Sequence, residues 1–295
     1  MERILFIINP VAGGGRTKKL VPLINDIMAQ KNIEYDIVFT TRPKEGTDIA
    51  KEGIEKGYRK IIAVGGDGTV NEVAFGIVDK KKGILGILPS GTGNDLARAL
   101  NIPLNPKDAL NNILKGYTKN IDVCSVNDGL FLNISSIGFD AEVAKITENI
   151  KTKIKSSMAY VIALFIDLFK FKFIKVEMEI DDSNIESEIL LIAVGNGNYY
   201  GGGINILPMA SLDDGRFHVC VVKKVPKLKL LFLLPTIING SHINQKKYVS
   251  IYKAKNIKVR TKDKAYINID GEIVDINKEA LFSINNTKLT VIAGN

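Results

Sequence analysis

Short apolar runs and helically spaced apolar residues alternate through residues 1–120. Arg3–Ile8 reads as a strand, and Leu20, Leu23, Ile24, Ile27 and Met28 recur at helical spacing behind it. Tyr35–Thr40 is a second strand, followed by a helix from Thr47 to Glu55 with Gly57 just beyond. Ile61–Val64 is a third strand. Val70, Val73, Ala74, Ile77 and Val78 then mark a helix opening near Thr69. Ile84–Leu88 is a fourth strand, with a short helix from Leu96. Repeated strand–helix units predict a mostly parallel sheet with helices on both faces.

After Ile121 the pattern changes to strand-like runs: Ile121–Val126, Leu130–Ile137, Ile174–Ile180, Ile189–Val194, Arg216–Val222, Tyr248–Tyr252, Ile257–Thr261, Ala265–Asp270 and Leu289–Ala293. Helical stretches at Ser156–Phe173 and Leu228–Ile238 interrupt them. The fold class expected is therefore α/β, an N-terminal parallel-sheet domain over 1–121 followed by a β-rich domain over 122–295. No fixed-period repeat, low-complexity tract or long linker separates them.

Chemistry collects at the strand ends. Strand one ends in Asn9-Pro10-Val11-Ala12-Gly13-Gly14-Gly15-Arg16, strand three in Gly65-Gly66-Asp67-Gly68-Thr69-Val70-Asn71-Glu72, and strand four in Pro89-Ser90-Gly91-Thr92-Gly93-Asn94-Asp95. In a parallel sheet these carboxyl ends share one edge, where ligands bind. A glycine-rich turn opening a helix presents backbone N–H groups that suit a phosphate. Asp67 and Asp95 would repel that phosphate unless a cation sat between, so a magnesium–nucleotide site is one reading. The other is a strand–helix turn with Asp67 as an N-terminal cap. No GxxxxGK[ST] is present, GxGxxG lacks its third glycine after Gly91-Thr92-Gly93, and no HRD or DFG pattern appears.

Composition narrows the class. The chain has 295 residues, 45% hydrophobic and 24% charged, a globular balance with room for two domains. Two distant cysteines, Cys124 and Cys220, exclude a disulfide scaffold and fit a reducing compartment. The two histidines, His218 and His242, leave little for a zinc site or a Ser-His-Asp triad, and His218 sits in a strand-like run. No signal peptide and no membrane-spanning run are read, so a cytoplasmic, soluble protein is expected. The net charge of +8 suits polyanionic ligands or an anionic membrane surface. With lysines scattered and no RNP or zinc-finger pattern, nucleic acid is not expected as a partner.

Taken in order, Asn9-Pro10 with Gly13 and Arg16, the Gly65–Thr69 turn with Asn71-Glu72, Gly91-Thr92-Gly93-Asn94-Asp95 with Ala97-Arg98, and Asp270-Gly271-Glu272 resemble the diacylglycerol kinase catalytic domain. Asn196-Gly197, Gly201-Gly202-Gly203 and Leu212-Asp213-Asp214-Gly215 are also similar to the bacterial soluble lipid kinases. The resemblance covers nearly the whole chain. It implies a nucleotide domain, a β-sandwich, and an active site in the cleft between them.

It also implies ATP and Mg²⁺ as cofactors and phosphoryl transfer to a diacylglycerol-like lipid at a membrane surface, feeding phospholipid metabolism. Asn9, Pro10, Val11, Ala12, Gly13, Thr41, Gly65, Gly66, Asp67, Gly68, Thr69, Val70 and Asn71 would hold the nucleotide, with Thr92 nearby. Arg16 would neutralise phosphate charge and Lys155 would reach in from the second domain. Asp67 and Asp95 would organise Mg²⁺ through water. Glu272 would accept the lipid hydroxyl's proton beside Asp270, although Asp-Gly is also a hairpin turn signal. Ser211 and Arg216, through their carbonyls, and the Asp214 carboxylate would form a second magnesium site, or a plain turn.

Tyr160–Phe173 and Leu230–Leu234 are apolar almost all round. For each, three readings stay open: an acyl-chain groove, contact with the bilayer, or a helix buried against the sandwich. A peripheral association with the inner face of the membrane is expected, and a homodimer is compatible with it. Sphingoid, ceramide or phosphatidylglycerol kinases would use the same motifs. An NAD kinase relative shares the Gly65–Thr69 turn, but of its second motif Ile137-Gly138-Phe139-Asp140 is a faint echo. A non-catalytic, nucleotide-dependent membrane-binding module would not need Asp67, Asp95 and Glu272 intact.

Overall fold

The structure, a computed structural model, describes residues 3–150 and 171–294. Lys155 and most of the expected helix Ser156–Phe173 lie outside the described residues, and residues 171–173 carry no regular structure. The chain forms two compact units, one of residues 1–123, 201–203 and 285–295, the other of residues 124–200 and 204–284. The expected division at 121/122 is thus corrected. The C-terminal segment, assigned by pattern to the β-rich part, returns to the first unit. Its strand Leu289–Ile292 has the same apolar composition as the strands before it, and only its partners tell it apart.

In the first unit β1 (Ile4–Ile8), β2 (Tyr35–Phe39), β3 (Lys60–Gly65), β4 (Ile84–Pro89) and β5 (Thr118–Ile121) join the C-terminal strand in the order β2-β1-β3-β4-(Leu289–Ile292)-β5. The pairings are parallel up to the C-terminal strand, which pairs antiparallel with β5. Every residue of β1 is buried, which explains its unbroken apolar run: a central parallel strand is covered on both faces. Helices Glu45–Glu55 and Asp67–Lys80 pack closely, since a Cβ on Gly76 would lie 2.8 Å from the Ala50 Cβ. Helix Pro106–Lys115 escaped the periodicity reading. Its signals are local: Asn105 accepts from the Lys107 and Asp108 N–H groups, Pro106 follows, and Gly116 ends it at φ 70°.

Strand order decides where the loops meet. The chain leaves β1 for β2 on one side and returns to β3 on the other, so the crevice between β1 and β3 is a topological switch point. Registers Ile8↔Phe39, Ile8↔Val64 and Gly65↔Pro89 bring the carboxyl ends of β1–β4 level.

The second unit is antiparallel and sandwich-like. Its strands are β6 (Cys124–Val126), β7 (Gly129–Phe131), β8 (Ile134–Gly138), β9 (Ile174–Ile180), β10 (Ser183–Gly195), β11 (Tyr199–Tyr200), β12 (Ile204–Asn205), β13 (Phe217–Lys223), β14 (Val249–Ala254), β15 (Ile257–Thr261), β16 (Ala265–Ile269), β17 (Glu272–Ile276) and β18 (Glu279–Ile284). The large sheet runs β17-β16-β8-β10-β9-β15-β18-β6-β7, with β13 bridging β10 to β14. β10 pairs with β9 along its first half and lies between β8 and β13 along its second. Its core gathers Phe131, Phe217 and Phe282, with ring centroids 6.2 to 6.4 Å apart. His218 is buried in this sheet.

Candidate active site

Three glycine-rich loops converge at the β1/β3 switch point. Asn9 ends β1, and its side-chain amide donates to Thr69 Oγ1 at 3.3 Å, crossing the crevice. Its Oδ1 accepts from Val11 N, and its carbonyl accepts from the buried Thr17 hydroxyl at 2.7 Å. Gly13, Gly14 and Gly15 then turn at φ 58°, 68° and 84°, a left-handed run that side chains resist. Arg16 folds back so that its Nε donates to Gly13 O at 2.8 Å. The guanidinium therefore lies over the loop it was expected to serve.

The Gly65 turn and the Ser90–Asp95 loop are pressed together. Ser90 N donates to Gly65 O at 2.8 Å, and a Cβ on Gly91 would come 2.5 Å from the Gly66 Cα. Gly66 is the N-cap of helix Asp67–Lys80 and no side chain caps it. The first-turn amides of a helix lack intrahelical acceptors. A Cβ on Gly68 would meet nothing within 4 Å. Space and donors for an anion therefore coincide at this helix N-terminus. Thr69 and Val70 are buried, and Val70 N donates to Gly66 O at 3.0 Å. Thr92 and Val11 are exposed, and Pro10, Ala12 and Asn71 are half-buried. Thr41 follows β2, exposed, its hydroxyl donating to Glu45 Oε2 at 3.0 Å.

Asp67 does not cap its own helix. Its Oδ2 accepts from Asn94 N at 2.8 Å and its Oδ1 from Asp95 N at 2.7 Å, capping the short helix Asp95–Ala99 of the neighbouring loop. Asp95 is buried, and accepts from Gly202 N at 3.0 Å and Gly203 N at 2.7 Å. Burial pushes its carboxyl above the ordinary value and the Asp67 carboxylate adds to this, against the Gly202 and Gly203 amides and Arg98. A Cβ on Gly93 would lie 2.7 Å from Asp67 Oδ2 and 3.2 Å from Asp95 Oδ2, so both oxygens face one gap. Two carboxylates on one gap, one of them destabilised as an anion, fit a divalent cation. Among the described residues no cluster of three or more His, Cys, Asp or Glu could hold a metal alone. Mg²⁺ does not need one, since it is usually held by one or two carboxylates together with water and phosphate oxygens.

Glu72 had a place in the motif but no role from sequence. Its carboxylate accepts from Lys44 N at 2.9 Å and Gly46 N at 3.0 Å, fastening the loop after β2 to helix Asp67–Lys80. Gly202 and Gly203, noted only as part of a glycine cluster, prove to be the donors to Asp95. Neither contact has a local sequence signal, because the partners are 26 to 108 positions apart.

In the second unit Asp270-Gly271 is the two-residue turn of the β16–β17 hairpin, at φ 47° and 99°. Asp270 also accepts from Leu132 N at 2.7 Å, Asn133 N at 3.2 Å and Ile134 N at 2.8 Å. It is a clamp on the loop before β8. Glu272 opens β17 and is exposed. Asp140 follows β8 with both carboxylate oxygens buried, and burial raises its pKa.

The Ser211–Arg216 loop is already charge-balanced. Asp214 Oδ2 lies 2.8 Å from Lys253 Nζ and 3.0 Å from His218 Nε2, and Oδ1 accepts from Arg216 N. The Ser211 hydroxyl donates to Asp213. A cation here would take the place of the Lys253 ammonium. Burial alone would raise the Asp214 carboxyl, but Lys253 and His218 outweigh it and hold it below the usual range. A depressed carboxyl adds stability above its unfolded pKa of about 3.9, lost as pH falls through the folded value. Asp214→Ala is therefore expected to cost about 1 kcal/mol at pH 7, the group being partly exposed. Urea unfolding at successively lower pH should show that gap closing below about pH 4.

Residues 3–126 match the family model of the diacylglycerol kinase catalytic domain, and residues 133–293 match that of the YegS C-terminal NAD kinase beta sandwich-like domain. A diacylglycerol kinase of Staphylococcus saprophyticus is 32% identical over 272 residues, covering 92% of this chain and 89% of that protein. One of Bacillus subtilis is 32% identical over 277 residues, covering 92% and 90%. A crystal structure of a diacylglycerol kinase from Bacillus anthracis superposes with TM-score 0.76 at 25% identity, over 99% of this chain and 97% of that one. An NAD kinase from Archaeoglobus fulgidus in complex with ATP, at 13% identity and TM-score 0.51, shares the fold alone. With two family models that together span nearly its whole length and relatives matched almost end to end, the chain belongs to the diacylglycerol kinase family of lipid kinases.

Proposed function

We propose that this protein transfers the γ-phosphoryl group of ATP to the hydroxyl of a diacylglycerol-like lipid at a membrane surface, feeding phospholipid metabolism from the cytoplasm. The observation that carries this reading is the convergence of Asp67 and Asp95 on one gap beside an uncapped, glycine-lined helix N-terminus. Phosphoryl transfer asks a protein mainly for positioning and charge stabilisation, and this arrangement offers both. Asn9–Gly13 and Gly65–Asn71 line the nucleotide, with Thr41, Thr92 and Arg16 at the margin. Asp67 and Asp95 would hold Mg²⁺, which would supply neutralisation of phosphate charge. The lipid oxygen bonds to the γ-phosphorus as the bond to the β-phosphate oxygen breaks and ADP leaves. The hydroxyl proton passes to the Glu272 carboxylate. Asp270 positions this base by fixing the hairpin turn and the Leu132–Ile134 amides.

The acceptor is tested by measuring ATP consumption with diacylglycerol, phosphatidylglycerol, sphingosine and NAD in turn. Turnover is expected with diacylglycerol in mixed micelles. Faster turnover with sphingosine, phosphatidylglycerol or NAD overturns the assignment. For the Ser211–Arg216 loop we propose a second Mg²⁺ site in exchange with the Lys253 ammonium. A melting curve without ATP should then show a Mg²⁺ shift that Asp214→Ala removes, by mass action on the native state. An undiminished shift excludes the loop.

A further inference from the structure

The net charge of +8 is unevenly distributed. From Gly215 to Lys262 the chain has twelve Lys and Arg residues and no Asp or Glu. The remainder holds 28 basic against 32 acidic residues, so the positive excess belongs to this one stretch. Several of its charges are matched by acids from elsewhere in the second unit: Lys253 by Asp214, Lys258 and Arg260 by Glu279, Lys224 by Glu188. Around the helix Lys227–Ile238, Lys227, Lys229, Lys246 and Lys247 are exposed, and Lys229 Nζ meets the Tyr248 hydroxyl at 3.0 Å.

That helix is apolar on two opposite sides. Leu230, Leu233 and Ile237 are buried in the core of the second unit. Leu228, Leu231, Phe232, Pro235 and Ile238 form a second stripe at i, i+3, i+4, i+7 and i+10, and all five are exposed. Phe232 is 79% exposed and Leu228 72%. At about 100° per residue Lys227 and Lys229 fall on either side of this stripe. Beside it lies a cavity of about 300 Å³, lined by Val225, Lys229, Phe232, Leu233, Gln245 and Tyr248. Apolar side chains projecting between lysines, with a tyrosine at the polar boundary, match the two layers of a lipid surface. A protein of 295 residues rarely leaves such a ridge to water.

We propose that the outer face of helix Lys227–Ile238 is the element that inserts into an anionic bilayer, with Leu228, Phe232 and Ile238 below the headgroups and the lysines on them. A second copy of the chain is the less suitable occupant, because apposing two such faces would bring their exposed lysines together. The inference deepens the proposed lipid-kinase reading by naming the surface on which the acceptor is met. It is tested on vesicles without diacylglycerol and without ATP, so it stands or falls separately from the acceptor assignment.

The chain contains no tryptophan, so Phe232→Trp supplies a single fluorescent reporter. Vesicles of phosphatidylcholine mixed with phosphatidylglycerol should shift its emission to the blue, and brominated lipid should quench it. Phosphatidylcholine alone should do neither, and added salt should reverse the shift. In co-sedimentation of the otherwise native chain, Leu228→Ser with Phe232→Ser should weaken partition at least tenfold, since one large apolar side chain withdrawn from water is worth about a factor of ten. Both substitutions are at exposed positions, and an unchanged melting temperature verifies the fold. No shift, or undiminished partition of the double variant, overturns the proposal. So does a dimer in sedimentation velocity that the double variant dissociates, which would make this face an interface between copies.

Discussion

Replacing Asp67 by Ala is expected to lower lipid phosphorylation by about 10³-fold or more, the upper range for removing one preorganised electrostatic group. The effect should be accompanied by a structural cost. Asp67 caps the neighbouring helix through Asn94 N and Asp95 N, and losing an N-cap costs about 1 kcal/mol. The two contributions separate in Asp67→Asn. The amide oxygen keeps an acceptor for one of the two N–H groups, so part of the lost thermal stability should return. The negative charge facing the Gly93 gap does not return, so activity should stay low at saturating ATP and Mg²⁺. Near-wild-type turnover of Asp67→Asn would assign the residue a capping role alone and move the cation to Asp95.

The second large effect concerns the β16–β17 turn. Glu272→Gln is expected to reduce kcat by about 10²–10⁴-fold, the range for loss of a general base, with the KM for ATP unchanged. The side chain is exposed and Gln is nearly isosteric, so the melting temperature should hold. Asp270→Asn should behave in the opposite sense. Its carboxylate accepts from three consecutive backbone amides, and leaving part-buried N–H groups without a full acceptor costs about 1–3 kcal/mol. It should therefore melt earlier, with kcat falling only as far as Glu272 is displaced. Steady-state kinetics and melting curves on both variants give the distinction. Normal turnover of Glu272→Gln would make the hairpin purely structural, with Asp67 and Asp95 the next bases to test.

Much of this was legible in the sequence where a short-range signal existed. The apolar runs at Ile4–Ile8 and Ile61–Val64 announced buried parallel strands, because such strands are covered on both faces. Asp270-Gly271 announced its turn through a left-handed requirement that few residue pairs meet. The ordered glycine motifs announced the family, and several of their glycines mark places where a neighbouring loop comes too close for a side chain or where φ is left-handed.

What only the tertiary structure decided is the set of contacts between segments distant in the chain. The C-terminal strand Leu289–Ile292 looks like any apolar strand, and its return to the first unit depends on the gap left between β4 and β5. From sequence Asp67 reads as part of a magnesium–nucleotide site or as an N-terminal cap, and its selection of Asn94 and Asp95 follows from Gly66 and Gly91 drawing two loops together. Leu230–Leu234, within helix Lys227–Ile238, is apolar almost all round in sequence. Which of its sides is core and which is exposed follows from the sheet it packs on, because a hydrophobic pattern states what avoids water and not what will cover it.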